Sequence, residues 1–206
     1  MKIKVLLAED HHLVRRGLAL LINSQPDMEV VGEVACGEDC CQAITAVSPD
    51  VVVLDLALPD IPGLKVLERL KCLKPMPKVI ILTMYEELEF LEEALKLGAK
   101  GYLIKRAAEE ELIRAVREVA RGEYYIHPSL AGKMISRNAL AAKCGLSPRE
   151  MEVLVYWGKG LANEEIAKKL FISVKTVETH KTRIKEKLNL KTRADVVRYC
   201  LENNLI

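Results

Sequence analysis

Carboxylate, hydroxyl and ammonium side chains follow four short apolar runs in the first 125 residues. They are Glu9 and Asp10, Asp55, Thr83 and Lys105. Carboxylate oxygens are ligands that Mg²⁺ prefers, and a bound Mg²⁺ keeps positions for water and phosphate. A lysine and a hydroxyl can hold phosphoryl oxygens, so the set suits transfer of a phosphoryl group to an aspartate. Asp55 is the predicted acceptor, and Glu9 and Asp10 form the predicted metal-binding pair.

The apolar runs before these residues have the length of β-strands. The predicted strands are Ile3–Leu7, Glu29–Val34, Val51–Leu54, Val79–Leu82 and Gly101–Ile104. Apolar residues at helical spacing lie between them, and this alternation predicts a doubly wound α/β fold with a five-stranded parallel sheet. The flavodoxin-like strand order 2-1-3-4-5 is the template for such a sheet. Because the carboxyl ends of parallel strands share one edge, the polar residues are expected to converge on one crevice.

The overall net charge of +2 hides two unlike halves. Residues 1–125 contain 16 basic and 21 acidic residues, a balance of −5, whereas residues 126–206 contain 15 and 8, a balance of +7. A basic half indicates contact with nucleic acid or a membrane surface. No apolar run approaches the roughly 18 residues of a membrane-spanning helix, so we expect a soluble, cytoplasmic protein without a membrane partner.

The six cysteines form no CxxC pair and no cluster with metal-ligand spacing. We therefore expect reduced thiols, most of which pack in the core. The alternative is that Cys36, Cys40 and Cys41 bind a metal or sense oxidants.

The strand pattern ends near residue 122, and residues 123–142 are predicted to be a linker with a short helix from Ser129 to Arg137. Four helices are then predicted, and their N-caps are Ser147, Asn163, Ser173 and Thr192. The first has the capping-box pattern, with Pro148 at the first helical position and Glu150 reaching back to the cap. The second helix (Glu164–Leu170), a turn at Phe171–Ile172 and a third helix reaching Leu188 form a predicted helix-turn-helix.

The third of these helices has an apolar stripe at Val177, Ile184 and Leu188 and a polar opposite face. The segment Lys168–Arg193 contains nine basic and two acidic residues, enough to neutralise several DNA phosphates. We therefore predict that the polar face enters the major groove of double-stranded DNA. The candidates for base edges are Lys175, Glu178, Thr179 and Thr182, with threonine acting by its hydroxyl or its methyl group. The candidates for phosphate contacts are Lys181, Arg183, Lys187, Lys191 and Arg193, and Thr176 completes the predicted DNA-binding set.

The basic domain also allows interpretations that involve no base recognition. The basic helix can be a solvated face of a protein-binding bundle, and His180, at the edge of the apolar stripe, is expected to pack or to contact phosphate.

Four stretches in residues 1–122 resemble the receiver domain of two-component response regulators. They are Leu7–His11, Val53–Gly63, Ile81–Thr83 and Lys100–Lys105. The resemblance implies that a cognate sensor histidine kinase phosphorylates Asp55. It also implies that Mg²⁺ is bound by Glu9, Asp10, Asp55 and the backbone carbonyl of Ala57.

The same resemblance implies that Thr83 and Lys105 contact the phosphoryl oxygens and that Tyr102 is a switching aromatic. Movement of Thr83 toward the phosphoryl group would open room for Tyr102 to turn inward. Glu9 stands where many receivers have aspartate, and Met84 is bulkier than the small residue often found after the threonine. The bulk of Met84 is therefore expected to affect access to Asp55 and, with it, the lifetime of the phosphoryl group.

Residues 143–206 resemble the LuxR-type DNA-binding domain. The matching stretches are Leu146–Glu150, Gly160–Ala167 and Ile172–His180. The whole chain is thus similar to NarL/FixJ-type response regulators, which implies a transcription regulator controlled by phosphorylation. The resemblance also implies a homodimer on DNA through the fourth helix (Ala194, Val197, Leu201), with half-sites about one helical turn apart.

Two other functions use the same residue types. A phosphatase of the haloacid dehalogenase type would carry a second aspartate two residues after the nucleophile, but Ala57 occupies that position, so we predict no enzyme activity. An adaptor would use the basic domain to bind an acidic protein. The opposite charges of the halves suggest a further hypothesis, that the unphosphorylated acidic domain lies against the basic domain and masks it.

Overall fold

A parallel β-sheet organises the first part of the chain in the computed structural model, which describes residues 2–73, 75–106, 109–170 and 172–206. The strands are β1 (Ile3–Ala8), β2 (Met28–Val34), β3 (Val51–Leu54), β4 (Lys78–Thr83), β5 (Gly101–Ile104) and β6 (Tyr125–Ile126). Their order is β2-β1-β3-β4-β5-β6, and every neighbouring pair is parallel. The predicted α/β fold with strand order 2-1-3-4-5 is confirmed. Sequence patterns did not predict β6, because a two-residue strand is too short to show a period.

Five helices connect the strands and cover the sheet. They are α1 (His12–Asn23), α2 (Gly37–Val47), α3 (Gly63–Leu70), α4 (Leu88–Lys96) and α5 (Glu109–Ala120). One core cluster joins alternate residues of β1, β3, β4 and β5, such as Val5, Val53 and Ile80, to the buried faces of α1 and α5. This alternation follows from the period of two along a strand. The polar residues at the strand ends are therefore held by strands whose core-facing side chains are apolar and buried.

The second part of the chain is helical. Its elements are α6 (Pro128–Lys143), α7 (Pro148–Gly158), α8 (Asn163–Leu170), α9 (Val174–Leu188) and α10 (Arg193–Glu202). A separate core contains Leu154, Trp157 and Ile166, together with Val177 and Ile184 from α9. The chain divides into two compact units, residues 1–131 and 132–206. The finer domain boundaries inferred from sequence, at residues 122 and 143, stay predictions.

Three of the four predicted N-caps are confirmed. Ser147, Ser173 and Thr192 each accept a hydrogen bond from the backbone N–H three residues later, and the first and last form full capping boxes. Asn163 is not a cap, because α8 begins at this residue and its Oδ1 accepts a hydrogen bond from Lys181 Nζ at 2.6 Å. Glu165 Oε2 instead accepts from the Ala162 N–H at 2.7 Å.

The linker helix is longer than predicted. A helix from Ser129 to Arg137 was expected, but α6 continues to Lys143. Its last turns contain the alanines of residues 139–142, and alanine has the highest helix propensity. Phe171, part of the predicted turn before α9, lies outside the described residues. Among the described residues, no helix is both long and apolar enough to cross a membrane.

Candidate functional site

The ends of β1 and β3 bring the predicted acidic residues together. Ala8 and Leu54 are register partners in the two strands, and the Asp55 N–H donates to the Ala8 carbonyl at 2.9 Å. Ligand atoms of Glu9, Asp10, His11 and Asp55 all lie within 4.8 Å of one another. Glu9 and Asp55 are each only 2% exposed. Two carboxylates are thus held out of water at the edge where the strand order reverses, which is where open α/β sheets bind ligands.

Lys105 completes this buried cluster from the end of β5. Its Nζ lies 2.7 Å from Glu9 Oε2 and 2.8 Å from Asp55 Oδ2. Burial alone would lower the pKa of the Lys105 ammonium, but the hydrogen bonds to Asp55 and Glu9 outweigh burial and raise it. The ammonium therefore stays charged at neutral pH, beside the carboxylate predicted to accept a phosphoryl group.

The donor set of the cluster is consistent with a metal site. Carboxylates packed this closely repel one another, and a divalent cation would relieve that repulsion. The oxygens of Glu9, Asp10 and Asp55 are the hard ligands that suit Mg²⁺. The Ala57 N–H donates to Asp55 Oδ1 at 3.2 Å, so the loop after β3 folds back over the acidic residue.

Two residues at the site were not predicted from sequence. His11 Nδ1 lies 2.7 Å from Asp10 Oδ1 and 3.0 Å from Glu9 Oε1, although the His11 side chain is largely exposed. Arg15, in α1, donates from Nη1 to the backbone carbonyls of Glu9 and Asp10. A backbone carbonyl is present at every residue, so the sequence does not show which carbonyls a side chain will contact. The only signal for the contact of Arg15 was a basic residue near the start of α1.

Thr83 and Tyr102 meet at the loop after β4. Thr83 is fully buried, and its Oγ1 accepts a hydrogen bond from the Tyr85 N–H at 3.3 Å. The Tyr102 ring is also fully buried, and its hydroxyl donates to the Tyr85 carbonyl at 3.1 Å. Burial, together with the nearby charge of Glu87, raises the pKa of Tyr102. Tyr102 is thus already turned inward while Thr83 is still bonded to Tyr85, without the movement of Thr83 that was expected from the sequence to open room for it. Met84 is 55% exposed.

The loop between β3 and α3 is fastened to the neighbouring helix by Asp60. Its carboxylate accepts hydrogen bonds from the N–H groups of Gly37 at 2.7 Å and Glu38 at 2.9 Å, at the N-terminus of α2. These two bonds are the main cause of a strongly lowered Asp60 pKa. A carboxylate at a helix N-terminus is also favoured by the helix dipole.

The lowered pKa of Asp60 predicts that part of the stability of the fold is lost in acid. A lowered folded-state pKa means that the carboxylate stabilises the fold above its unfolded pKa of about 3.9, and that this contribution is lost as the pH falls below that value. We expect the difference in unfolding free energy between the wild type and Asp60→Asn to be constant near neutral pH and to shrink below about pH 4. Chemical denaturation of both proteins across this range measures it. A difference that does not change with pH would contradict the role given to Asp60.

Most of the predicted DNA-binding residues are exposed, on α9 and, for Lys191 and Arg193, just after it. Val177 and Ile184 are fully buried, as predicted, whereas Leu188 is only partly buried. The exposed residues of the predicted set are Lys175, Glu178, Thr179, Thr182, Arg183, Lys187, Lys191 and Arg193; Thr176 and Lys181 are half-buried. A basic, exposed face thus stands opposite an apolar stripe that fixes the helix to its own domain.

Some of the predicted phosphate contacts already have partners inside the domain. Lys181 Nζ donates to Asn163 Oδ1 and lies 4.8 Å from the centroid of the Trp157 ring. Burial is the main cause of a lowered pKa for Lys181. Arg193 donates from Nη2 to the Gly160 carbonyl. Lys181 therefore lies against the core rather than in the middle of the exposed face.

Glu150 and Lys187 tie the start of α7 to the end of α9. The carboxylate is 2% exposed, and it accepts hydrogen bonds from Lys187 Nζ at 2.6 Å and from the Ser147 N–H at 2.7 Å. Burial alone would raise the pKa of the Glu150 carboxyl, but the hydrogen bonds from Lys187 and Ser147 outweigh it and lower the pKa. The pair helps to orient α9.

Lys187→Met should destabilise the second unit, because it leaves the buried Glu150 carboxylate without its cation. Loss of a hydrogen bond to a charged group costs about 1–3 kcal/mol, and partial exposure of Lys187 favours the lower end of this range. Thermal unfolding of the full chain, followed by the fluorescence of Trp157, measures the change. Lys168→Met, at an exposed position of α8, is the matched control. Equal unfolding midpoints for the two variants would contradict a stabilising pair.

The cysteines show no arrangement for metal binding within the described part of the chain. The candidate metal group found there is the acidic cluster, which contains no thiol. All six cysteines are free, and burial raises the pKa of Cys40 to about 12 and of Cys200 to about 11. Both thiols therefore stay protonated at neutral pH and pack as small apolar residues.

Comparison with known proteins identifies both units. Residues 5–117 match the family model of the response regulator receiver domain, and residues 145–200 match that of bacterial regulatory proteins of the luxR family. The oxygen regulatory protein NreC of Staphylococcus carnosus is 42% identical over 98% of this chain and 99% of its own length. A receiver domain joined to a luxR-family domain is the arrangement of response regulator transcription factors, which are not enzymes.

Solved structures give the same result over nearly the whole chain. The response regulator RcsB in complex with DNA is 26% identical, with a TM-score of 0.65, and the match covers 97% of this chain and 98% of RcsB. A structure of two RcsB dimers bound to two parallel DNAs matches with a TM-score of 0.64 at 26% identity, over the same shares of both chains. A receiver domain implies a kinase partner. The chain belongs to the NarL/FixJ-type two-component response regulators, which join a receiver domain to a LuxR-type DNA-binding domain.

Proposed function

We propose that a cognate sensor histidine kinase phosphorylates Asp55, and that this phosphorylation controls sequence-specific DNA binding by the second unit and thereby transcription. The observation that carries the proposal is the position of Lys105. Its ammonium lies 2.8 Å from Asp55 and 2.7 Å from Glu9, at the carboxyl edge of the sheet, where both carboxylates are buried. A fixed positive charge at this place neutralises negative charge on a phosphoryl group as it moves onto the Asp55 carboxylate.

Mg²⁺ is the cofactor that we propose for this site. Glu9, Asp10 and Asp55 would supply carboxylate oxygens, and Ala57 its backbone carbonyl. Bound there, the ion would neutralise phosphoryl oxygens and hold them in place. Arg15 fixes the backbone of Glu9 and Asp10 through their carbonyls, which limits the movement of these two ligand residues.

The switch that we propose runs from Asp55 to Tyr102. A phosphoryl group adds about −1.5 to −2 charges and three acceptor oxygens. Lys105 and the Thr83 hydroxyl would contact these oxygens, and Thr83 would then give up its hydrogen bond from the Tyr85 N–H. The Tyr102 hydroxyl is bonded to the same residue, Tyr85, so a shift of this residue reaches the tyrosine directly.

The backbone of Tyr102 offers a route onward to the linker. β6 pairs with β5, and the His127 N–H donates to the Tyr102 carbonyl at 2.9 Å. α6 begins at Pro128, directly after His127. A change at Tyr102 therefore reaches the start of the linker helix through a single backbone hydrogen bond.

DNA is the proposed partner of α9, and a homodimer is the proposed binding form. The predicted set from Lys175 to Arg193 supplies base and phosphate contacts, with Lys181 and Lys187 also holding the domain together. On α10, Ala194 and Leu201 are exposed and Val197 is half-buried, which leaves an apolar strip for a second copy. The dimeric DNA-bound arrangement of the related RcsB supports this form. The free cysteines are consistent with the cytoplasm as its location.

Genome-wide footprinting of the wild type and of Asp55→Ala tests the proposed function. We expect discrete sites in the wild type, made of half-sites about one helical turn apart, and weaker occupancy of the same sites in the variant. Identical occupancy in both strains would refute control by Asp55. Affinity for the strongest site should also fall steeply with salt concentration, because phosphate contacts release counterions. Affinity without salt dependence would instead favour the adaptor alternative.

A further inference from the structure

Two threonines on the exposed face of α9 have their hydroxyl groups bonded to their own helix. Thr179 Oγ1 donates to the Lys175 carbonyl at 2.9 Å, and Thr182 Oγ1 donates to the Glu178 carbonyl at 3.1 Å. Both residues are exposed. Such bonds to the carbonyl four residues earlier are a common use of threonine within helices. They are formed here by the two threonines that the sequence places among the base-contacting candidates.

These bonds limit what each threonine can offer to a base. A hydroxyl has one hydrogen, and here the helix backbone takes it. The N7 and O6 of guanine, the N7 of adenine and the O4 of thymine are all acceptors, so none of them can pair with a hydroxyl that has no free hydrogen. The hydroxyl oxygen keeps its lone pairs, so toward base edges it can accept only from the amino groups of adenine and cytosine. The γ-methyl group is free to contact the apolar feature of the major groove, the C5-methyl group of thymine.

We propose that Thr179 and Thr182 recognise thymine methyl groups through their own γ-methyl groups. This inference rests on the proposed function, in which α9 enters the major groove, and it adds the chemistry that these two positions recognise. Glu178 lies beside Thr179 and is a pure acceptor when ionised, so it supplies a different preference, for the cytosine amino group.

The spacing of the two threonines predicts where the thymines lie. Residues three apart share one face of a helix and are about 4.5 Å apart along its axis. The base pairs of B-DNA are about 3.4 Å apart. Each half-site should therefore contain two thymines, on either strand, in base pairs that are neighbours or one step further apart.

Thymine-to-uracil substitution tests the proposal, because it removes the C5-methyl group and keeps the base pairing. The full-length protein, treated with acetyl phosphate and Mg²⁺, first selects duplexes from a random-sequence library. Single thymines of the selected duplex are then replaced by deoxyuridine, within the half-sites and, as a control, outside them. We expect replacement of each recognised thymine to weaken binding about fourfold. This factor corresponds to the loss of about 0.8 kcal/mol, the usual contribution of one buried carbon group.

Paired variants assign the effect to the threonine methyl groups. Thr179→Ser and Thr182→Ser keep the hydroxyl and lose the methyl group, whereas Thr179→Val and Thr182→Val keep a methyl group in the same branched shape and lose the hydroxyl. The valine variants should retain the wild-type affinity and the sensitivity to uracil. The serine variants should bind the thymine duplex about fourfold more weakly and should no longer distinguish thymine from uracil at that position.

Several results would overturn the proposal while leaving DNA binding by α9 intact. They are selected half-sites without thymine, wild-type binding that is insensitive to uracil throughout the half-sites, and valine variants that bind as weakly as the serine variants. Failure of the wild type to select any duplex would instead refute the proposed function, and the inference with it.

Discussion

Asp55→Asn will take up no detectable phosphoryl group. The amide that replaces the carboxylate has nearly the same shape but is not a nucleophile, so the predicted acceptor atom is lost. Lys105 keeps its ion pair with Glu9 in the variant, and the fold should persist. The measurement is the intact mass of the protein after incubation with acetyl phosphate and Mg²⁺, or with the cognate kinase once it is identified.

Asp50→Asn is the matched control, since it makes the same chemical change at the other end of the same strand. Asp50 lies just before β3 and accepts a hydrogen bond from the Lys4 N–H at 2.9 Å, far from the carboxyl edge. It should take up one phosphoryl group as the wild type does. Phosphorylation of Asp55→Asn at the wild-type rate would show that another residue is the acceptor.

Gly63→Ala will damage the same site through the backbone. A β-carbon at Gly63 would lie 2.2 Å from the Asp55 carbonyl oxygen and 2.8 Å from the Leu56 Cα. These are backbone atoms, and the Gly63 N–H also donates to the Leu56 carbonyl at 2.9 Å, so relief requires movement of the chain at Asp55 itself. We expect a loss of about 1–3 kcal/mol in unfolding free energy, as for other overpacked positions, together with slower phosphorylation.

Gly17→Ala controls for the general effect of replacing glycine. Gly17 lies within α1, and a β-carbon there would meet no atom within 4 Å. Alanine should stabilise this helix by about 0.5–1 kcal/mol. Chemical denaturation and phosphorylation kinetics of both variants give the comparison. Wild-type stability and wild-type phosphorylation in Gly63→Ala would contradict the close approach of Gly63 to Asp55.

The acidic edge could be predicted from sequence because it depends on a simple rule of topology. Apolar runs of strand length end in Glu9, Asp55 and Lys105, and parallel strands place such ends along one edge. The rule locates side chains by strand, and so it found residues nearly a hundred positions apart. It did not find Arg15, whose bonds are to backbone carbonyls, nor Gly63, whose contact depends on the exact path of a loop.

In the helical domain, some contacts follow from a local sequence pattern and others do not. At 100° per residue, Lys181 lies about 40° from Val177, inside the apolar stripe, so its packing against Trp157 was visible on the helical wheel. The pairing of Lys187 with Glu150 joins residues 37 positions apart on different helices, and no local pattern carries that information. The inward position of Tyr102 depends on the packing of its neighbours, which residue types alone do not determine.

Control of DNA binding by Asp55 is tested most directly by one affinity measurement. The full-length wild type and Asp55→Asn are titrated with one selected duplex, at one salt concentration, with and without acetyl phosphate and Mg²⁺. We expect the phosphodonor to tighten binding by the wild type by about 5-fold to 150-fold, the usual range of coupling between two sites, and to leave Asp55→Asn unchanged. An equal response of the two proteins, or no response of a wild type shown to be phosphorylated, would contradict phosphorylation control through Asp55.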